Sequence, residues 1–349
     1  MHQDGFLWCP YCGKPHRLGD RYCPMTGHPL DASSPPKSSH PLVDSLIDGK
    51  YRVRKRIGAG GMGEVLEAEN VLLHRLVAIK VLSPKRRHDH TAIARLRRES
   101  IVLASIQHPN ICDVSDVGSM PDGTPYLVLE RLFGETLDQF LARRRRTALR
   151  RAVEMFSQIL SGLQVAHSVG VIHRDLKPSN VFLVERTGCE PLVKLVDFGF
   201  AKNTSVDRAR TITRPGQACG TPQYMSPEQL RAEPVDSRSD LFSVAVMLYE
   251  ALSGTHPFSA DSSTQMLINI ARHEAPGLRT LRPSLPVEIE RLVHIGLAKD
   301  RDDRYATARE MQNALVCCSP PDLDEVSPDS TTGSMPRIRT SSSPTSAPP

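Results

Sequence analysis

Apolar and polar residues change period several times along this chain, and each change predicts an element. Tyr51-Arg-Val-Arg-Lys-Arg-Ile57 alternates bulky and basic residues, and Glu64-Val-Leu-Glu-Ala-Glu69 alternates again, so both predict strands with the intervening glycines as their turn. Val77-Ala-Ile-Lys-Val-Leu82 is a continuous apolar strand broken only by Lys80. Ile93, Leu96 and Leu103 fall on one stripe of a helix, and Glu99 shares that stripe. Tyr126-Leu-Val-Leu-Glu130 reads as a strand running out to a connection at Gly134. Residues 169–172 are apolar and residues 181–184 are β-like, which places the polar stretch 173–180 on a turn held by packed elements. A long apolar helix, residues 241–252, opens on Asp240. The expected class is α+β.

Composition narrows the picture. The chain has 349 residues with 39% hydrophobic content, enough for one sizeable core within two or three folding units. A net charge of +5 spread along the sequence argues against a dedicated nucleic-acid binder, and no direct nucleic-acid partner is expected. Arg143 to Arg146, with Arg150 and Arg151, form a basic run whose first expectation is a solvated face and whose second is an acidic partner. No apolar run reaches the ~18 residues of a membrane span and the N-terminus lacks the regions of a secretory signal, so a cytoplasmic protein without membrane insertion is expected.

The cysteines crowd at the start. Cys9-Pro-Tyr-Cys12 is a turn that can set two thiolates on one tetrahedral zinc, and Cys23 and His28 follow. The segment resembles a zinc ribbon, except that Thr26 stands where a fourth cysteine is expected, so His28 or His16 must complete the site. A degenerate ribbon or a redox CxxC are the alternatives. Residues 1–30 are thus expected to be a zinc-ribbon module and 31–50 a Pro/Ser linker. Residues 316–349, rich in Pro, Ser and Thr, are expected to be a disordered tail.

Candidate chemistry concentrates in four places. Ile57-Gly58-Ala59-Gly60-Gly61-Met62-Gly63-Glu64-Val65 is a glycine turn followed by a strand. A dinucleotide fold would need a helix there, so a strand-turn-strand flap over nucleotide phosphates fits better. Lys80 beside that flap is a phosphate grip, and a buried lysine needs a carboxylate such as Glu99. His173-Arg-Asp-Leu-Lys-Pro-Ser-Asn180 supplies a candidate base in Asp175, a cation in Lys177 and a side-chain oxygen for a divalent cation in Asn180. Asp197-Phe-Gly199 ends a β run with a second carboxylate suited to magnesium.

Taken together and in order, these motifs are similar to those of the bacterial eukaryotic-like serine/threonine protein kinases, over about residues 51 to 314. The resemblance implies a two-lobed protein kinase fold, with a small β-rich lobe from about residue 51 to 132 and a larger helical lobe to about 315, and it implies ATP with magnesium or manganese, protein substrates and self-association for autophosphorylation. It also implies that Leu129 guards the adenine pocket and that Glu130 to Leu132 present backbone groups to the base. Further, it implies that Glu228 pairs with Arg304, that Asp240 holds the catalytic loop from below, and that Thr221 lies in the peptide-receiving loop. Arg174 would collect a phosphate from Thr211 or Thr213. A pseudokinase scaffold acting through the ribbon and tail is the alternative.

Overall fold

The computed structural model of the chain describes residues 6–8, 15–17, 41–60, 63–82, 90–144, 146–198 and 222–318. The side chains of 6–8, 15–17, 60, 90–92, 95–97 and 99 are outside that description. Strands β1 (Phe6–Trp8) and β2 (Pro15–Arg17) pair antiparallel, Phe6 opposite Arg17 and Trp8 opposite Pro15. The expected zinc ligands Cys9, Cys12, Cys23 and His28 lie outside the described residues, as does the tail from 319.

The smaller lobe is an antiparallel sheet of β3 (Leu46–Ile47), β4 (Tyr51–Gly60), β5 (Gly63–Asn70), β6 (Arg75–Leu82), β7 (Val114–Ser119) and β8 (Pro125–Glu130), in the order β3-β4-β5-β6-β8-β7. Alternation along the strands sends Tyr51, Val53, Leu66, Ile79, Val81 and Tyr126 into one buried cluster. Lys80, between Ile79 and Val81, therefore faces the opposite side of the sheet, paired across the ladder with Val65. Sheet pairing begins before Tyr51, inside the stretch expected to be linker, because Leu46 and Ile47 pair with Arg52 and Tyr51 and bury Ile47. At the flap, Gly63 has φ +144, and a Cβ there would lie 2.0 Å from the Val81 carbonyl. Only glycine lets β5 start against β6.

Helix α1 (His90–Ala104) half-buries Ile93 and buries Leu103. After the connection come β9 (Gly134–Thr136), α2 (Leu137–Arg143) and α3 (Leu149–Ser168). Strands β10 (Val181–Val184) and β11 (Leu192–Leu195) join β9 in a small sheet ordered β11-β10-β9. The chain continues through α4 (Pro227–Leu230), α5 (Ser237–Ser253), α6 (Ser263–Arg272), α7 (Leu278–Leu281), α8 (Val287–Gly296) and α9 (Ala308–Cys317).

Helix α5 is buried on nearly every side, and Leu241, Phe242, Val244, Met247 and Leu248 are all fully buried. Each such side chain contributes about 1.5–3 kcal/mol on leaving water, so α5 is the post around which the larger lobe packs. Asp236 caps it by accepting from the Arg238 N–H, and Gly254 closes it at φ +80. Asp240 is consequently inside the first turn and is not the cap.

The basic run is largely solvent-exposed, as at Arg143, Arg144, Arg146 and Arg150, and it makes surface ion pairs within the chain. Arg143 pairs with Glu135, Arg150 with Glu154 at 3.2 Å and Arg151 with Glu190 at 3.3 Å. Arg146 Nε donates to the Ser253 carbonyl at 3.0 Å, which ties the α2–α3 connection to the end of α5. Among the described residues no helix is long and apolar enough to cross a membrane.

Candidate active site

Asp240 organises the catalytic loop from below. Its carboxylate accepts from the backbone N–H of His173 at 2.8 Å and of Arg174 at 2.9 Å, and from His167 Nε2 at 2.8 Å. Burial alone would raise its pKa, but the His167 contact, the nearby His173 and the backbone N–H outweigh burial and hold it below the usual carboxylate range. Those bonds fix Arg174 in the left-handed region, φ +63, which a non-glycine residue adopts at a cost. Gln229 Nε2 secures the same turn by donating to the Arg174 carbonyl at 2.8 Å. His173 is fully buried, burial pulls its pKa down, and its neutral ring donates from Nε2 to the Val196 carbonyl at 3.1 Å. Its ring centroid lies 4.5 Å from that of Phe198.

On this frame the predicted polar residues converge. Lys177 Nζ is 3.1 Å from Asp175 Oδ2, and Asn180 Nδ2 donates to the Asp175 carbonyl at 2.7 Å. The Val196 N–H donates to the Asn180 carbonyl at 3.0 Å, which joins the loop to the residue before Asp197. Asp197 also has a left-handed backbone, φ +59, and its Oδ1 sits 2.7 Å from Lys80 Nζ. Lys80 thus meets Asp197 across the cleft. The side chain of Glu99, its expected partner, lies outside the described residues, as do Gly61, Met62 and Gly199.

The donor set suits a hard divalent cation. Asn180 commits its amide nitrogen to Asp175, which leaves its oxygen as the ligand atom, and Asp197 adds a carboxylate. Ile57, Gly58, Ala59, Glu64 and Val65 lie along the β4–β5 flap, where Gly58 pairs with Val65 and Ala59 with Glu64. Glu130 ends β8, and Leu132 follows it, buried.

Sequence reasoning missed the ties of the connection between the lobes. Arg131 Nε donates to Glu67 at 2.8 Å, and Lys194 Nζ lies 2.5 Å from Glu130 Oε1. The signal was available for Lys194, because a lone lysine in the apolar run Leu192–Leu195 is the pattern that singled out Lys80.

Beyond the cleft, residues 222–224 are anchored to α5 and to the loop after it. Tyr224 Oη donates to Glu250 at 2.7 Å, Ser243 Oγ to the Tyr224 carbonyl at 2.7 Å, and His256 Nε2 to the Gln223 carbonyl at 3.1 Å. Ser226 caps α4. Glu228 receives both Arg304 Nη1 at 2.8 Å and Nη2 at 2.9 Å, with Ser239 Oγ at 2.6 Å. Burial raises the Glu228 pKa, but these donors reverse the shift and hold it at about 2. Thr211, Thr213 and Thr221 lie outside the described residues.

A curled antiparallel sheet bearing a glycine flap, a helical lobe, and a cleft that gathers Lys80, Asp175, Lys177, Asn180 and Asp197 define a protein kinase. The protein kinase domain family model matches residues 51–316, and the chain belongs to that family. It is 40% identical over 276 residues to serine/threonine-protein kinase pkn3 of Myxococcus xanthus, covering 78% of this chain and 50% of that protein. It is 38% identical over 280 residues to serine/threonine-protein kinase PknA of Mycobacterium tuberculosis, covering 79% of this chain and 63% of that one. The chain therefore spans about half to two thirds of the length of these relatives. Among solved structures, the kinase domain of Mycobacterium tuberculosis PknI superposes with a TM-score of 0.63 at 26% identity, covering 79% of this chain and 98% of that domain.

Proposed function

We propose that this chain is a serine/threonine protein kinase that transfers the γ-phosphate of ATP to hydroxyls of protein substrates. The observation that carries this is the convergence of Asp175, Lys177 and Asn180 on one frame, facing the Lys80–Asp197 pair. Asp175 orients the acceptor hydroxyl and takes its proton, and Lys177 offsets charge on the phosphoryl oxygens. Lys80, assisted by Glu99, holds the nucleotide phosphates under the flap, and Glu130 and Leu132 meet the adenine through their backbones. Asn180 and Asp197 hold magnesium or manganese, which when bound offsets the negative charge of the phosphates. The anchored 222–224 segment is a platform for an extended peptide, which favours a protein acceptor over a small molecule.

The same proposal includes a cytoplasmic signalling role, autophosphorylation on Thr211 or Thr213 between associating copies, and docking of that phosphate on Arg174. The kinase domain is taken as residues 51–315, followed by the 316–349 tail. At the N-terminus, Cys9, Cys12, Cys23 and His28 hold zinc in a module of residues 1–30. The pairing of β1 with β2 on either side of Cys9 and Cys12 supports that reading.

The test is incubation of the purified chain with radiolabelled ATP, magnesium and a generic protein acceptor, followed by peptide mapping. Label on serine and threonine of the acceptor, and on Thr211 or Thr213 of the chain, is expected. Absence of any magnesium-dependent label would reject the activity. Full activity of a Thr211→Ala/Thr213→Ala variant would reject control by those sites alone.

A further inference from the structure

Glu130 and Arg131 are consecutive residues where the two lobes join, and their side chains end in ion pairs with different lobes. Arg131 reaches the sheet of the smaller lobe: its Nε is 2.8 Å from Glu67 Oε2, and Glu67, only 6% exposed, also faces Lys55 at 3.6 Å. The Arg131 guanidinium lies 4.5 Å over the Phe133 ring and donates to the Leu132 carbonyl, so it is folded back along the connection. Glu130 reaches β11 of the larger lobe, where its Oε1 accepts from Lys194 Nζ, and the same oxygen accepts at 2.9 Å from the N–H of Asp113, the residue before β7. Lys194 is 8% exposed in β11 and donates as well to the Ile111 carbonyl at 3.3 Å. The chain runs from Lys194 through Leu195 and Val196 directly into Asp197.

Buried ion pairs are poor sources of stability, since apolar side chains of like size hold a fold as well or better. What they supply is geometry. A planar guanidinium on a carboxylate accepts few orientations, and an ammonium with two oxygen partners accepts few positions. Here both constraints act on adjacent peptide units, pulling toward opposite lobes, so the backbone of residues 130–132 cannot shift without breaking one of them. Groups that present a ligand are held to within a fraction of an ångström by such supporting contacts.

We propose that Arg131 and Lys194 are positioning residues for the nucleotide, fixing the backbone of residues 130–132 at one register between the lobes. Lys194 in addition couples that register to the strand that delivers Asp197. The proposal rests on the kinase function above, and it assigns these side chains no contact with ATP.

The experiment is calorimetric titration of the full chain with MgADP, together with steady-state kinetics and thermal melting, for the wild type, Arg131→Leu, Lys194→Met and Lys194→Arg. The Kd for MgADP and the KM for ATP are expected to rise about tenfold in the first two variants, the change made by ~1.4 kcal/mol, while kcat stays within about threefold. Lys194→Arg, which keeps the charge, should recover most of the affinity. Glu67→Leu/Arg131→Leu leaves no carboxylate or guanidinium of that pair, so it guards against variants that fail to fold, and it should show the same loss. Folded variants that bind MgADP within about twofold of the wild type would overturn the proposal. A wild-type chain that binds no MgADP would instead overturn the kinase function on which it rests.

Discussion

Lys80 Nζ lies 2.7 Å from Asp197 Oδ1, joining a strand of the small lobe to the segment that follows β11 in the large one. The lysine is 11% exposed and the carboxylate 35%, so the pair sits at the inner edge of a cleft that solvent and ligand can reach. It places the proposed phosphate-gripping cation beside the proposed metal-binding carboxylate. Lys80→Met should lower phosphoryl transfer about 10²-fold or more through lost positioning of the phosphates. Asp197→Asn should lower the rate and shift the magnesium required to higher concentration, measured as rate against magnesium concentration. Wild-type rates in either variant would remove that residue from the mechanism.

Asp175→Asn keeps the shape of the loop, including the backbone carbonyl that accepts from Asn180, while removing the proposed base. Turnover should fall about 10²- to 10⁴-fold with MgADP affinity unchanged. Single-turnover kinetics beside a nucleotide titration separate the two effects, and normal turnover would refute the assignment.

Asp240 holds the start of the 173–180 loop, so its removal should cost both stability and rate. Asp240→Ala strands two backbone N–H groups and His167, a loss of about 3 kcal/mol or more, read from the denaturant midpoint. Asp240→Asn retains one acceptor oxygen and should fall between the two. A midpoint unchanged in Asp240→Ala would show that the loop is held by other contacts.

Glu228 gives the fold an acid-sensitive joint. Its folded-state pKa is depressed from an ordinary 4.5 to about 2, so the Arg304 pair stabilises the fold fully above 4.5 and loses that contribution as pH falls toward 2. The shift corresponds to about 3 kcal/mol. The stability gap between the wild type and Glu228→Gln should therefore be widest near neutral pH and close progressively between pH 4.5 and 2, as followed by urea denaturation. A gap that stays constant across that window would contradict the assignment.

Zinc should be present at close to one equivalent in protein purified without chelator. A module this small has almost no core, so metal would supply most of its folding energy, on the order of 10 kcal/mol. Elemental analysis checks the stoichiometry. Chelation should leave the thermal midpoint of the kinase domain unchanged, and less than half an equivalent of metal would reject the site.

Much of this protein was legible in one dimension because its chemistry is carried by local strings. Asp175, Lys177 and Asn180 are neighbours in sequence, and the geometry between them is set within a single turn, so their spacing already brings them together. The strand grammar was equally readable, β4 and β5 from alternation and β6 from its continuous apolar run, because a strand covered on both faces need not alternate. The contacts that only tertiary structure decided are those between residues far apart in the chain. Asp240 looks in sequence like the start of a helix, and it is the packing of α5 beneath the loop that turns its carboxylate to His173 and Arg174. The arginines of 143–151 stay largely exposed, as the sequence suggests, but only folding brings Glu135, Glu190 and the end of α5 to them. Likewise Glu67, Arg131, Glu130 and Lys194 carry no local pattern that pairs them. A charge reveals its partner only when folding buries both, because desolvation then makes the pairing obligatory, whereas in the extended chain water satisfies each one alone.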